Sequence, residues 1–368
     1  MNILLTGPEL CSPWTEGRKL FVRDLAEVMK GEHDVSVLTT RTPGASADFG
    51  VPVVASQLPA GAAQLGGLLA RLPGALSRSK PDVLLHFPYG TFRGLRGVAN
   101  DFSLRCVDGI ARRAGVRCGT VMYSIDRYRT PRQLATRVSR LIVQAGTEWS
   151  GPTYPLGLNT DRWRGHVRPR RRGRTLLFMA GMPNATAERL EYVLKVRGLG
   201  QLLQAGKILH PAGVDLIVAS PVFGNPDLAQ ALRRHPLNGW ADGALRIAET
   251  VTVPAIFDQC DLFVFPYAEP ITRFTPTSIV ESLLSGVPVV MSDLPFLCEL
   301  APQFEAVETF RNGDAGDLAQ KVLGLLDAPN RLEELSQRAR TAAERHFSIQ
   351  TSARRLLDLA QGSAAIGS

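Results

Sequence analysis

Glu281 sits inside the apolar run Ile279-Val280-Glu281-Ser282-Leu283-Leu284, where a carboxylate is costly unless a partner or a ligand meets it. The residues just before it, Phe274-Thr275-Pro276-Thr277-Ser278, read as the start of a helix. Thr275 suits the N-cap, and Pro276 suits the first helical position, where its missing N–H costs nothing. Gly286 then stops the helix ahead of Pro288. The first-turn amides of Thr277 and Ser278, with the helix dipole behind them, make a place for a phosphate. Glu281, one turn deeper, could accept hydrogen bonds from ribose hydroxyls. The competing reading pairs Glu281 with a nearby arginine or turns it to solvent at the helix end.

Two further residues end strand-like runs. Asp126 follows Thr120-Val121-Met122-Tyr123-Ser124-Ile125, and ligands of open parallel sheets bind beyond such carboxyl ends. Asp126 could orient or deprotonate a substrate hydroxyl, or else cap a loop or pair with Arg127 or Arg129. His86 closes Asp82-Val83-Leu84-Leu85 ahead of Phe87-Pro88-Tyr89-Gly90, and a lone histidine there is more often structural than functional.

The elements that must position these residues alternate between strand and helix. Strands are expected at Ile3–Thr6, Asp34–Leu38, Asp82–His86, Gly119–Ser124 and Leu141–Val143, with Phe21, Leu25, Val28 and Met29 on one helix face. The pattern restarts with strands at Thr175–Met179, Val214–Val218, Leu245–Ile247, Leu262–Phe265 and Val287–Met291. Helices follow at Asp317–Asp327, from Asn330 toward His346, and over Ser348–Leu359. Alternation on both sides of a Pro/Arg/Gly-rich stretch predicts an α/β protein with two doubly wound domains.

With 368 residues, 45% hydrophobic and 21% charged, the chain has material for two ordinary cores. No uninterrupted apolar run reaches spanning length, and the N-terminus reads as a first strand rather than a signal peptide. Cys11, Cys106, Cys118, Cys260 and Cys298 are scattered without metal-ligand spacing, which fits reduced thiols in a cytoplasm and argues against zinc. A net charge of +8 calls for an anionic partner. The arginines at 162, 164, 168, 170, 171, 172 and 174 lie at the expected interdomain linker. Lacking interleaved aromatics beyond Trp163 and any nucleic-acid module, they read as a solvated linker.

The run Thr275-Pro276-Thr277-Ser278-Ile279-Val280-Glu281, followed by Gly286-Val287-Pro288-Val289-Val290, resembles the donor motif of the family 4 retaining glycosyltransferases. That motif is commonly Glu, seven residues, Glu, then Ala-x-x-x-Gly-x-Pro-Val-Val. Its first glutamate falls on Arg273 here, a departure, and a branch with Ser/Thr-Pro-x-Lys-x-x-Glu is closer, with Ser278 in place of the lysine. Several weaker matches keep the family's order along the chain: Gly7-Pro8 with Glu16-Gly17-Arg18-Lys19, His33-Asp34-Val35, Tyr154-Pro155-Leu156-Gly157-Leu158-Asn159, Asp293–Leu300 and His346-Phe347-Ser348.

The resemblance implies the GT-B fold, two Rossmann-like domains facing a cleft, with residues 1–155 on the acceptor side and 156–345 binding the nucleotide sugar. Residues 346–368 then form a helix returning to the first domain, and a tail. It implies transfer of a sugar from a nucleoside-diphosphate sugar to an acceptor hydroxyl with retention, without metal or other cofactor. Arg197, before Gly198, takes the place of the family's diphosphate-clamping lysine, with Lys195 as a fallback. Gly181-Met182 stands where Gly-Arg is usual, so Arg273 could restore the missing charge. Glu269 is the remaining acid of the donor loop. Gly7, Glu16, Gly17 and His86 fall on the acceptor side. The expected partners are a nucleotide-sugar donor and a small-molecule, glycan or lipid-linked acceptor, with no nucleic acid. The expected location is cytoplasmic, with contact at the inner membrane face left open. Two alternatives stand beside this: a degenerate homologue that binds without turnover, and a GT-B nucleotide-sugar epimerase.

Overall fold

The computed structural model describes residues 1–12, 17–58, 62–88, 94–123, 131–145, 149–163, 173–180, 187–219, 226–248, 253–270 and 274–362. Of these, the residues within Met1–Asn159, Thr272–Thr275 and Phe347–Ser368 form one compact unit, and those within Thr160–Ile271 and Pro276–His346 a second.

The first unit runs β1 (Asn2–Gly7), α1 (Gly17–Met29), β2 (Asp34–Arg41), β3 (Val53–Gln57), α2 (Ala62–Ser79), β4 (Val83–His86), α3 (Gly94–Arg113), β5 (Arg117–Met122), α4 (Pro131–Ala135), β6 (Leu141–Gln144) and β7 (Thr153–Tyr154). All seven strands are parallel, in the order β3-β2-β1-β4-β5-β6-β7. The order reverses between β1 and β4, so the carboxyl ends of those two strands flank the topological switch point. Leu4, Leu38, Leu84 and Cys118 from four strands pack with Leu68 and Leu72 of α2 and Val107 and Ala111 of α3.

The second unit runs β8 (Thr175–Met179), α5 (Ala187–Lys195), α6 (Leu199–Leu209), β9 (Asp215–Ala219), α7 (Pro226–Arg233), β10 (Leu245–Ala248), α8 (Val253–Phe257), β11 (Leu262–Phe265), α9 (Thr277–Leu284), β12 (Val289–Ser292), α10 (Pro295–Phe304), β13 (Val307–Phe310), α11 (Ala315–Leu326) and α12 (Pro329–His346). Its strand order is β10-β9-β8-β11-β12-β13, again parallel throughout. Here the reversal falls between β8 and β11. Every residue of β11 is buried, as a strand covered by helices on both faces requires.

The last helix, α13 (Ile349–Gln361), packs on α1, β4, β5 and β7 of the first unit. Its entry is pinned: the Leu158 amide donates to the Phe347 carbonyl at 2.9 Å and the Ile349 amide to the Leu158 carbonyl at 3.2 Å. A Cβ on Gly157 would lie 2.4 Å from the Ser348 carbonyl oxygen, so only glycine fits. Among the described residues no helix is long and apolar enough to cross a membrane.

Two parallel, doubly wound units are what the alternation predicts. Several boundaries differ. β5 begins at Arg117 and ends at Met122 rather than spanning 119–124. Three strands went unpredicted, β3, β7 and β13. β3 and β13 are only partly buried edge strands, and β7 has two residues, so none carries a solid apolar run. The expected N-cap is also displaced. Pro276, with φ −67° and ψ 121°, is itself the N-cap of α9. Proline fixes φ but not ψ, and this extended ψ lets its carbonyl accept from Ile279 at 3.0 Å.

Candidate functional site

The second unit gathers its candidate residues at the β8/β11 switch point. The chain leaves β11 through Pro266-Tyr267-Ala268-Glu269 and enters α9 at Thr277. Intrahelical bonding begins with the Ile279 and Val280 amides, which both donate to the Pro276 carbonyl. The amides of Thr277 and Ser278 therefore precede the helical ladder, and both residues are half-buried. Pro276, as the N-cap, supplies no side-chain cap of its own. Glu281 follows one turn behind and is 6% exposed, so it does not face solvent.

Arg197 lies just beyond α5 and is half-buried. The Val196 carbonyl beside it accepts from the Ala268 amide at 3.0 Å and the Glu269 amide at 3.4 Å. Gly198 takes φ +74°, and a Cβ there would fall 1.5 Å from the Pro266 carbonyl oxygen, so glycine is required twice over. The Arg197–Gly198 turn and the loop after β11 are thus brought together. The guanidinium donates to the Tyr267 hydroxyl at 2.5 Å. It also lies 5.3 Å from the Tyr267 ring centroid and 5.9 Å from that of Tyr192, within cation–π range. Lys195, the fallback, is instead exposed and paired with Glu191 at 2.6 Å. Glu269 is exposed.

The first unit has its own cluster at the β1/β4 switch point. Gly7 ends β1, and a Cβ on it would lie 2.4 Å from the Phe87 carbonyl oxygen. Gly17 is the first residue of α1. The next residue, Arg18, is 4% exposed and donates to the carbonyls of Pro8 at 3.1 Å and Phe87 at 3.2 Å. It ties the loops after β1 and β4 together. An arginine in a first helical turn opposes the dipole, and that misplacement is the sequence signal that it has another task.

His86 is 1% exposed, beside Thr6 of β1 and Thr120 of β5 in the sheet register. Both ring nitrogens and both threonine hydroxyls lack a hydrogen bond of good geometry. Burial pushes the imidazole pKa down to about 4; a weak contact with the Thr6 backbone acts the other way, and the Arg18 charge adds to the lowering. At neutral pH His86 is uncharged.

Asp126, Glu16, Arg273 and Gly181 lie outside the described residues. Of the remaining expected residues, Arg197, Thr277, Ser278 and Glu281 fall in the second unit and Gly7, Gly17 and His86 in the first. Sequence reasoning missed Arg18, Tyr192 and Tyr267. Tyr267 had a signal: a large aromatic directly after the proline that ends a buried strand.

Residues 173–328 match the family model described as Glycosyl transferases group 1. Among curated proteins no sequence matches. Among solved structures, the chain resembles Anabaena HepE in complex with UDP, with TM-score 0.66 and 15% identity over 98% of this chain and 100% of that one. It resembles sucrose-phosphate synthase from Thermosynechococcus elongatus, with TM-score 0.68 and 12% identity over 99% of each. A glycosyltransferase from Rickettsia africae gives TM-score 0.68 and 10% identity over 98% of each. At these identities the likeness is one of fold. The chain has the GT-B fold of two Rossmann-like domains, and that fold with the matched segment at 173–328 supports a glycosyltransferase.

Proposed function

We propose that this protein transfers a sugar from a nucleoside-diphosphate sugar to an acceptor hydroxyl, with retention at the anomeric carbon and without a metal ion. One observation carries the donor assignment: a buried carboxylate, Glu281, one turn behind the opening amides of a helix at a parallel-sheet switch point. The Thr277 and Ser278 amides would receive a phosphate. Glu281 would accept from the ribose hydroxyls. Arg197, with Arg273, would neutralise charge as the diphosphate leaves, with Gly181 beside them.

In the reaction the bond from the anomeric carbon to the diphosphate oxygen breaks. The acceptor oxygen bonds the same face of the sugar, and its proton passes to the leaving diphosphate. The first unit would hold the acceptor through Asp126, His86, Gly7, Glu16 and Gly17. Anabaena HepE binds UDP, which favours a uridine donor as the first to try.

The test is a thermal-shift panel of UDP, GDP, ADP, dTDP and CDP on the wild type and on Glu281→Ala. A ligand present at about a hundred times its dissociation constant adds about 2.7 kcal/mol of stability. The expected result is a shift with one base, abolished in the variant. Folded wild-type protein that responds to none of the five would overturn the donor site. Incubation of the matching sugar nucleotides with candidate acceptors then distinguishes a transferred sugar of retained configuration from an epimerised donor or from binding without turnover.

A further inference from the structure

Arg197 poses a problem of charge. It is half-buried, yet among the described residues no carboxylate pairs with it. The Tyr267 hydroxyl is the one hydrogen-bond acceptor its guanidinium has there, and its Nε is buried without a partner. A cation withdrawn from water normally recovers its solvation energy from a counter-ion inside the protein. Here the surroundings offer a phenol oxygen and two aromatic rings. They hold and orient the guanidinium without neutralising it.

The holder is itself rigid. Tyr267 is 6% exposed. Its ring stacks on Phe265, the last residue of β11, with centroids 3.9 Å apart and planes at 20°. Its carbonyl accepts from Ser292 Oγ, at the end of β12, at 2.6 Å. The preceding carbonyl, of Pro266, accepts from Gln201 Nε2 at 2.5 Å. The hydroxyl is therefore placed by two central strands and an adjoining helix, and Arg197 is placed by the hydroxyl.

We propose that Tyr267, with Tyr192 on its other contact, is a positioning residue that holds Arg197, which pairs with no carboxylate among the described residues, as a cation for the terminal phosphate of a nucleoside diphosphate. The proposal rests on the donor site described above and adds to it the device that sets its selectivity for a second phosphate. The donors left over on the guanidinium suit paired hydrogen bonds to phosphate oxygens, and Tyr267 spends only one of them.

A role in packing alone would change stability, or would weaken every nucleotide alike. The experiment is calorimetric titration of UDP, GDP, ADP, dTDP and CDP, each with its monophosphate, into the wild type, Tyr267→Phe, Tyr192→Leu and Arg197→Ala. For the base that binds, the wild type is expected to prefer the diphosphate, and Arg197→Ala to remove most of that preference. Tyr267→Phe keeps the ring and loses the hydroxyl. It should reduce the diphosphate-to-monophosphate ratio about tenfold, the scale of one hydrogen bond to a charged group, with monophosphate affinity unchanged. Tyr192→Leu should reduce the ratio about threefold, in line with an exposed cation–π contact. It provides the test if Tyr267→Phe does not fold. A ratio within twofold of wild type in both tyrosine variants, or an equal loss for both nucleotides, overturns the proposal while leaving the donor site standing. A wild type that binds none of the ten nucleotides overturns both.

Discussion

At the scale of the residue, Glu281 and His86 make contrasting demands on their surroundings. If Glu281 accepts from ribose hydroxyls, its removal should matter only for nucleotides that have them. In the wild type a 2′-deoxy analogue of the active nucleotide should bind about tenfold more weakly than the ribonucleotide. In Glu281→Ala the two should bind alike, as titration of both into both proteins would read. An unchanged ribose preference in the variant would move the contact elsewhere.

His86 carries a prediction about pH. Its folded pKa of about 4 lies below the ordinary 6.5, so between those values the unfolded chain binds more protons than the folded one. The stability tied to a neutral His86 is present above pH 6.5 and is lost as pH falls toward 4. A shift of this size corresponds to about 3 kcal/mol. Urea denaturation at pH 7 and pH 4.5 should show the wild type losing at least ~1 kcal/mol more than His86→Gln, which cannot titrate. Equal losses would remove His86 as the source.

At the scale of the element, α9 is short and its N-cap residue, Pro276, supplies no side-chain cap, so its geometry depends on what holds its other end. Arg340 of α12 does so: its Nη1 donates to the Leu284 carbonyl at 3.2 Å and the Trp163 carbonyl at 3.1 Å, and its Nε to Glu344 at 2.8 Å. Ser336 of the same helix donates to the Gly286 carbonyl. Arg340→Ala should cost ~1–3 kcal/mol by leaving those carbonyls unmet and should weaken nucleotide binding, although Arg340 meets α9 at its C-terminal end. Denaturation and titration together check this, and full affinity in a destabilised variant would separate α12 from the site. Gly198→Ala meets the Pro266 carbonyl and a left-handed backbone at once, and should cost at least ~2 kcal/mol, read as a lower denaturation midpoint.

Which elements were legible depended on burial. β8 and β11 appear at their observed limits in the sequence because strands covered on both faces are written as solid apolar runs. β13, Val-Glu-Thr-Phe at an edge, has no such run and was missed. The cap of α9 was misplaced by one residue because the choice between Thr275 and Pro276 turns on a single ψ angle. Glu281 stood out because a charge inside an apolar helix is anomalous wherever the helix packs. Arg197 was marked only by the family resemblance and not by its local pattern, since whether an arginine after a helix is exposed or half-buried depends on a loop 70 residues later.

For the molecule as a whole, the last helix belongs to the first unit although the second lies between them in sequence. α13 buries Ile349, Ala353, Leu356 and Leu357. A chain ending at Phe347 should therefore lose stability in the first unit, by several kcal/mol for that apolar surface, while the second unit melts as before. Calorimetry of the shortened chain would resolve the two transitions, and a lowered second-unit melt would contradict the assignment. What the sequence determined alone was local or periodic: parallel α/β alternation in two halves, the helix behind Thr277, and the carboxylate out of place at 281. Only the tertiary structure decided that Tyr267 and Tyr192 hold Arg197, that Arg18 ties two loops, and that His86 lies between two unmet hydroxyls. The reason is physical. Apolar periodicity is set by neighbours a few residues apart, whereas the partners of a buried polar group come from strands and loops that only the folded sheet brings side by side.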